Sequence, residues 1–341
     1  MSNNKKRKVT IEDIARSANV SISTVSRVLR NPSSVSEQKR KAVLKAVKKL
    51  NYRPNVFAQS LASGQSMTIG VITQNFGSPF YDTILRGLLH GLEETEYSPI
   101  FADGRWDEAV EQRELEMFLD RRIDGLIVVG GQLSETVLQQ VGQNTPLIVI
   151  GRALEGISDQ CIYVDNFQAG YDITSYLLRR GHRHIAHITA DMHYQDSVSD
   201  VYQRYEGYKQ ALRDAGLEPD PQLVIEGDLL QYSGVLAVEM LLSQKRPFSA
   251  IFCANDQMAF GARLGLYRRG LRVPEEISLV GFDDESTAAF MLPPLTTMRQ
   301  PAIEMGEAAA AALLRQMNGE SVSKQVFTAE LISRESVAYL R

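Results

Sequence analysis

Two cysteines, five histidines and a single tryptophan in 341 residues leave little material for several kinds of chemistry. Cys161 and Cys253 stand far apart and lack the paired spacing of a zinc or redox motif, which excludes a disulfide framework and fits a reducing compartment. Three histidines crowd into G-H-R-H-I-A-H, where His182 and His184 share one side of an extended segment without a third ligand, so no bound metal is expected. Signatures of a nucleophile elbow, a P-loop or a metalloprotease are missing. Asp283 and Asp284 are neighbours in one loop and do not supply the separation that two-carboxylate hydrolysis needs. Neither an enzyme nor a cofactor is expected. Also missing is any run near the ~20 apolar residues of a membrane span. The basic opening M-S-N-N-K-K-R-K-V-T-I-E-D-I-A has no apolar stretch behind it, so a secretory signal and a membrane partner are not expected and the cytoplasm is the expected location.

What the chain does have is ordinary globular composition, 44% hydrophobic and 23% charged, in a length that suggests two or three cores. Its net charge of −4 conceals a split. Residues 1–63 hold 14 Lys and Arg against three acids, a surplus of 11 positive charges, whereas the remainder holds 23 basic and 38 acidic residues, a surplus of 15 negative ones. A basic head on an acidic body points to a polyanion that contacts the head alone; a merely solvated basic face is the plain alternative.

The head reads as three short helices. Thr10 and Asp13 occupy N-cap and N3 of the first, with Ile11, Ile14, Ala15 and Ala18 on one stripe. Asn19-Val20 makes a tight turn, Ser21 caps the second helix, and Val25, Val28 and Leu29 form its inner face before Asn31-Pro32 ends it. A third helix from about Glu37 turns Val43, Val47 and Leu50 inward and Lys41, Lys45, Lys48 and Lys49 outward. On the second helix this leaves Ile22, Ser23, Ser26, Arg27 and Arg30 facing out, the profile of a recognition helix in a major groove. Arg27 has the fork to pair with a guanine edge, Ile22 and Ser23 suit a thymine methyl and a polar base group, and Ser21, Thr24 and Asn31 suit phosphates.

These residues, read together as V-T-I-E-D-I-A, V-S-I-S-T-V-S-R-V-L, V-S-E, Y-R-P-N and A-Q-S-L-A, resemble the head of the LacI/GalR family of bacterial transcriptional repressors. The resemblance puts Ile22 and Ser23 at the variable base-reading positions and Arg27 where an arginine typically reads guanine. It extends the expected DNA contacts to Thr10, Ser26, Tyr52, Asn55, Ala58 and Gln59. Many members have tyrosine or alanine in place of Ile22, so the operator sequence does not carry over. The segment N-V-F-A-Q-S-L-A-S-G is too short for a stable isolated helix and resembles the family's hinge helix, which implies folding against DNA and a second subunit, with Leu61 wedged into the minor groove.

Beyond Ser66 strands and helices alternate, and continuous apolar strands such as T-I-G-V-I-T, G-L-I-V-V and A-I-F-C imply parallel sheets covered on both faces. The number of strands exceeds one sheet and divides near Tyr163 to Asp165, while a helix at about 302 to 318 and two terminal strands suggest that the chain crosses between halves again. The body resembles a type I periplasmic-binding-protein fold. The expected fold class is therefore α/β, a three-helix helix-turn-helix domain (1–54) and a hinge (55–65) followed by a two-lobed sensor (66–341). Its first lobe is expected at about 66–163 and 294–325, its second at about 164–293 and 326–341.

In such sheets a ligand lies at the C-terminal ends of the strands. Asn255-Asp256 follows I-F-C-A, Asp283-Asp284 follows L-V-G-F, Arg152 follows L-I-V-I, and Arg204 begins a helix after a polar loop, groups that suit the hydroxyls of a sugar. For Asn255 and Asp256, capping of the next helix is an equal reading. The resemblance implies effector contacts at Phe80, Tyr81, Arg152, Arg204, Phe252, Asn255 and Asp283, and Trp106 after a strand loop is added to them. A free solute-binding protein would share the body without the head. The expectation is a repressor of carbohydrate-utilisation genes that binds an inverted-repeat operator in double-stranded DNA as a homodimer and answers to a small, sugar-like effector. The C-terminal S-R-E-S-V-A-Y-L-R carries no leucine heptad of the kind that makes some relatives tetramers.

Overall fold

The computed structural model describes residues 9–30, 34–52, 64–190 and 199–340, which form two compact units divided after Ser66. The first unit holds α1 (Ile11–Ala18), α2 (Ile22–Arg30) and α3 (Glu37–Lys49). The capping box read from the sequence is present: Thr10 Oγ1 accepts from Asp13 N–H while Asp13 accepts from the Thr10 backbone at 3.0 Å. Asn19, at φ 53°, ends α1 in the left-handed conformation that asparagine tolerates better than most residues. Ile14, Ala15, Val25, Val28, Val43 and Ala46 make the small buried core, with Tyr52 packed at its edge.

The second unit is built on two six-stranded sheets. The first contains β1 (Thr68–Thr73), β2 (Ser98–Asp103), β3 (Gly125–Val129), β4 (Leu147–Ile150), β5 (Cys161–Val164) and β11 (Gln325–Phe327), in the spatial order β11-β5-β4-β3-β1-β2, every pair parallel. The second contains β6 (Ile185–Ala190), β7 (Val224–Gly227), β8 (Ala250–Cys253), β9 (Ser278–Asp283), β10 (Thr296–Arg299) and β12 (Glu330–Ile332) in the order β12-β10-β9-β8-β6-β7. Only its β12 edge is antiparallel among these pairs. The central strands are buried along their whole length, which is why they read as unbroken apolar runs.

Helices α4 (Pro79–Leu92), α5 (Glu108–Asp120), α6 (Glu135–Gly142) and α11 (Ala302–Met317) belong to the first lobe; α7 (Asn166–Arg179), α8 (Asp200–Asp214), α9 (Gln231–Ser243) and α10 (Asp256–Arg268) belong to the second. The α4–α11 crossing is close enough that a Cβ on Gly87 would stand 2.1 Å from the Ile303 carbonyl oxygen, so glycine there sets how near the helices approach.

The chain passes between lobes three times, after Val164, after Arg299 and after Phe327. The second passage corrects the expected boundary at 294. Thr296–Arg299 pairs with β9 in the second sheet, because Thr297 Oγ1 donates to buried Asp256 at 2.7 Å and Thr296 Oγ1 accepts from Arg334 N–H at 2.9 Å. Likewise β11 keeps residues through Phe327 in the first lobe. No helix among the described residues is long and apolar enough to cross a membrane.

Candidate functional site

In the head, α2 begins at Ser21, whose Oγ accepts Thr24 N–H at 3.2 Å and lies 2.9 Å from both Ser23 Oγ and Thr24 Oγ1. Val25 and Val28 turn inward, which leaves Ile22, Ser23 and Arg27 exposed and Ser26 half-buried on the other side. Ile22 is 47% exposed, a large apolar residue kept in water on a helix that has an inner face available. Arg27, exposed, bends back to donate from Nε to Ser23 O at 3.3 Å. Thr24 departs from its expected place among the phosphate contacts. It is buried and its hydroxyl is engaged by Ser21, so it shapes the first turn of α2. Thr10 is exposed at the start of α1, whereas Tyr52 is half-buried against the head core. The expected contacts at Asn31, Asn55, Ala58, Gln59 and Leu61 lie outside the described residues, as does the side chain of Arg30.

In the body, the C-terminal ends of the strands of both sheets open onto one interlobe cleft of about 610 Å³. The first lobe contributes Asn75, Phe80, Tyr81, Asp103, Arg105, Trp106, Gln132 and Arg152; the second contributes Asp200, Arg204, Asp228, Asn255, Gln257 and Asp283. Seven of the eight expected contacts are thus brought together. Phe252 is the exception. Its ring is fully buried 4.6 Å from the ring of His187, because β8 is covered on both faces and a residue preceding the strand end cannot reach the opening.

Two arginines frame the cleft from opposite lobes, each anchored by the protein itself. Arg204, on the first turns of α8, donates from Nε to Asn166 Oδ1 at 2.8 Å and from Nη1 to the Ala254 carbonyl at 2.7 Å. Its guanidinium lies 3.8 Å above the Phe282 ring and 3.9 Å from Asp200. Arg152 donates to the Leu133 carbonyl at 2.6 Å. Such anchoring restricts the orientation of each guanidinium group.

Asp283 closes β9 at φ 109°, a strained value for a residue with a Cβ, and accepts from Gln300 Nε2 at 2.7 Å. Burial lifts its carboxyl to about 6 against the pull of Arg204 and Gln300. Asn255 takes the capping role: Oδ1 accepts Met258 N–H at 2.9 Å at the start of α10, and Nδ2 donates to Leu229 O at 2.9 Å, tying down a loop of the cleft that Asn255 also lines. Asp256 caps nothing into the cleft; it is buried on Thr297 and the Glu285 backbone. Phe80, Tyr81 and Trp106 form an edge-to-face run with ring centres 5.3 and 6.1 Å apart, an apolar wall beside the polar groups.

Asn75, Asp103, Arg105, Gln132, Asp200, Asp228 and Gln257 were not among the expected contacts. The signal was there for Asp103, Asp228 and Gln257, which stand at or just past strand ends as Asn255 does. Asp103 accepts from Asn75, Phe76 and Arg105 N–H groups and so folds two loops against each other. Two of the three clustered histidines are tied up in the protein's own hydrogen bonds. His187 donates to the Phe252 carbonyl at 3.0 Å, its ring beside those of Tyr205 and Tyr208 and its pKa driven down to about 3 by burial, and His182 is held by Ser249 and Ala338.

Comparison with known proteins agrees with both units. A model described as "Bacterial regulatory proteins, lacI family" matches residues 10–55, and one for a "Periplasmic binding protein-like domain" matches residues 174–337. The chain is 33% identical to the HTH-type transcriptional repressor CytR of Escherichia coli (strain K12), with 97% of each chain covered. It is 34% identical to the HTH-type transcriptional repressor PurR of Aliivibrio fischeri (strain MJ11), with 96% of this chain and 98% of that protein covered. Among solved structures it is similar to the lac repressor dimer bound to operator and the anti-inducer ONPF, with a TM-score of 0.87 at 28% identity over 97% of this chain and 100% of that one. A groove-sized helix on a basic head, a ligand-sized cleft in a two-lobed body and relatives matched from end to end lead to one assignment: the chain belongs to the LacI family of bacterial regulatory proteins and is a DNA-binding transcription regulator, not an enzyme.

Proposed function

We propose that this regulator is a repressor of carbohydrate-utilisation genes that grips an inverted-repeat operator as a homodimer in the cytoplasm and is switched by a small, uncharged, sugar-like effector in the interlobe cleft. One observation carries the reading. The cleft gathers two pre-anchored guanidinium groups, one from each lobe, the Asp283 carboxylate and an aromatic wall, at the place where the chain passes between the lobes. Carboxylate and guanidinium groups hold vicinal hydroxyls, and aromatic rings cover the CH face of a pyranose. Asp283 abuts the passage after Arg299 through Gln300, so a ligand held there has a direct mechanical claim on the angle between lobes.

In the head, two copies of α2 related by a two-fold axis match two half-sites, with Arg27, Ile22 and Ser23 toward the bases. The expected contacts Thr10, Ser21, Ser26, Tyr52, Asn55, Ala58, Gln59 and Leu61 then support register on the duplex. The effector acts by favouring one arrangement of lobes over the other. A full switch from 1:99 to 99:1 requires ~5.5 kcal/mol of differential binding, within reach of a few charge-assisted hydrogen bonds.

The test is selection of a palindromic duplex by the full-length chain, followed by titration with a panel of mono- and disaccharides and nucleosides. Asp283→Ala should retain operator binding and weaken the effector by ~1–3 kcal/mol, the cost of leaving buried donors unpaired. Calorimetry that finds the effector affinity unchanged removes Asp283 from the site, and failure to prefer any symmetric duplex over bulk DNA removes the repressor reading.

A further inference from the structure

Behind the cleft wall lies a carboxylate that touches no open space. Glu111, in the first turn of α5, is fully buried, yet neither of its oxygens has a cationic partner within ion-pair distance among the described residues. What they accept is backbone. Gln132 N–H lies 2.9 Å from both oxygens, and Leu133 N–H lies 3.1 Å from Oε2. This turn follows β3 through Gly130 and Gly131, at φ 64° and 89°; Gly130 N–H still donates to Ile150 O of β4 at 2.8 Å, and beyond it the chain leaves the ladder and its N–H groups need acceptors from elsewhere. A Cβ on Gly131 would stand 2.5 Å from Glu111 Oε2 and 2.6 Å from Gln74 Nε2, so glycine is what lets the turn settle onto the two side chains.

Each of these links ends at a group lining the cleft. Gln74, fully buried and packed beside Glu111 under Gly104 and Gly131, accepts Trp106 N–H through Oε1 at 2.8 Å, while its Nε2 makes no hydrogen bond among the described residues. Leu133, held by Glu111 through its N–H, presents its carbonyl to Arg152. The turn itself carries Gly130, Gly131 and Gln132 into the lining. Burial raises the pKa of the Glu111 carboxyl, opposed by the two backbone N–H bonds and by the field of Arg152. A residue needed only to fill this space would be apolar, since a buried carboxylate costs free energy that the same volume of hydrocarbon does not.

We infer that Glu111 is a positioning residue for the effector cleft, its carboxylate holding the Gln132–Leu133 turn and Arg152 by hydrogen bonds and, by packing beside Gln74, keeping the Trp106 wall in the arrangement that receives the ligand. The inference rests on the reading of the cleft as an effector site. Trp106 is the chain's single tryptophan, so its fluorescence reports this wall without background.

The experiment compares full-length wild type, Glu111→Gln and Leu115→Ala, the last a buried core residue of the same helix that is absent from the cleft lining. Glu111→Gln keeps the volume but turns an amide NH₂ toward backbone N–H groups. Acrylamide quenching of Trp106 should increase in Glu111→Gln. Affinity for whichever of glucose, galactose, cellobiose, cytidine and guanine the wild type binds should fall about tenfold, as when a buried donor loses its acceptor. Leu115→Ala should lower the thermal midpoint and move neither readout. The inference is overturned if Glu111→Gln melts earlier but keeps wild-type quenching and affinity, or if Leu115→Ala reproduces its changes. If Glu111→Gln does not accumulate as folded protein, Gln74→Leu, which cuts only the link to Trp106, takes its place: raised quenching and weakened binding support the inference, and wild-type values of both overturn it. A wild type that binds none of the five probes counts against the effector reading, and the acrylamide arm then decides the role of Glu111 by itself.

Discussion

Head and body place their functional groups in opposite ways. The head uses a minimal core, six buried apolar side chains on three helices, and leaves one face of α2 exposed, the face proposed to meet DNA. The body covers two sheets with helices and gathers its cleft groups inside, from strand ends more than 200 residues apart in the chain. A site on a surface depends on local periodicity; a site in a cavity depends on topology. The contrast is also electrostatic, since the head is basic and the body acidic, so a polyanion is drawn to one and repelled by the other.

The sharpest way to break this comparison is salt. Operator affinity should fall ~10³-fold or more between ~50 and ~200 mM salt if six or more phosphates are neutralised, while cleft affinity for an uncharged ligand holds steady. Fluorescence anisotropy and calorimetry on one preparation read both, and a flat operator response sinks the assignment of the head. Next in size is a matched pair of core truncations. Ile14→Ala and Ile127→Ala each remove a fully buried side chain at a cost of ~2–5 kcal/mol. Only the head should unfold, since domains of this size have little stability to lose, and operator binding should vanish with ligand binding intact. Calorimetric melting that shows both units lost together contradicts their independence.

Arg27→Ala is the finer probe of the head. It should relax discrimination at one base pair of each half-site by ~1–3 kcal/mol, read by competition between operator variants. An equal loss on operator and random duplex leaves Arg27 as a phosphate contact only.

The smallest effect belongs to the body. Burial and the neighbouring Asp283 charge lift the Glu285 carboxyl to about 7, against a hydrogen bond from Gln257, and Asp283 itself sits at about 6. Both values exceed those of an unfolded chain, ~4.3 and ~3.9. The folded body therefore holds protons that the unfolded one releases. Their stabilising contribution is complete below about pH 4 and is lost as pH rises through 6 to 7. Glu285→Gln should flatten the upper part of that fall in thermal midpoint, and an unchanged pH profile places the Glu285 proton elsewhere.

Much of this was legible beforehand, for reasons that differ by residue. Thr10 and Asp13 reach each other across three positions, so their capping box needs nothing beyond its own turn. The strands announced themselves because both of their faces are buried. That same double burial hid the fate of Phe252, since a strand apolar on both faces gives no alternation from which to choose the side that meets the cleft. The boundary at 294 failed for a related reason. T-T-M-R says strand but does not say with which sheet it pairs, and the answer lay in Asp256 and Arg334, about 40 residues away on either side. Asp200 and Glu111 carried no local mark at all, one being an ordinary helix-start acid and the other an ordinary acid on an amphipathic helix.

From its residues alone the chain settled the three head helices, the alternation of strands and helices, the sign of charge on each unit and four of the cleft's polar groups, because all of these follow from periodicity, capping and composition over a few neighbours. Folding decided which strand joined which sheet, that Thr24 and Phe252 turn inward, and that Glu111 and Gln74 stand behind the wall. Those outcomes depend on hydrogen-bond partners and packing surfaces supplied by distant segments, and a partner's identity is not written in the residues next to the group that needs it.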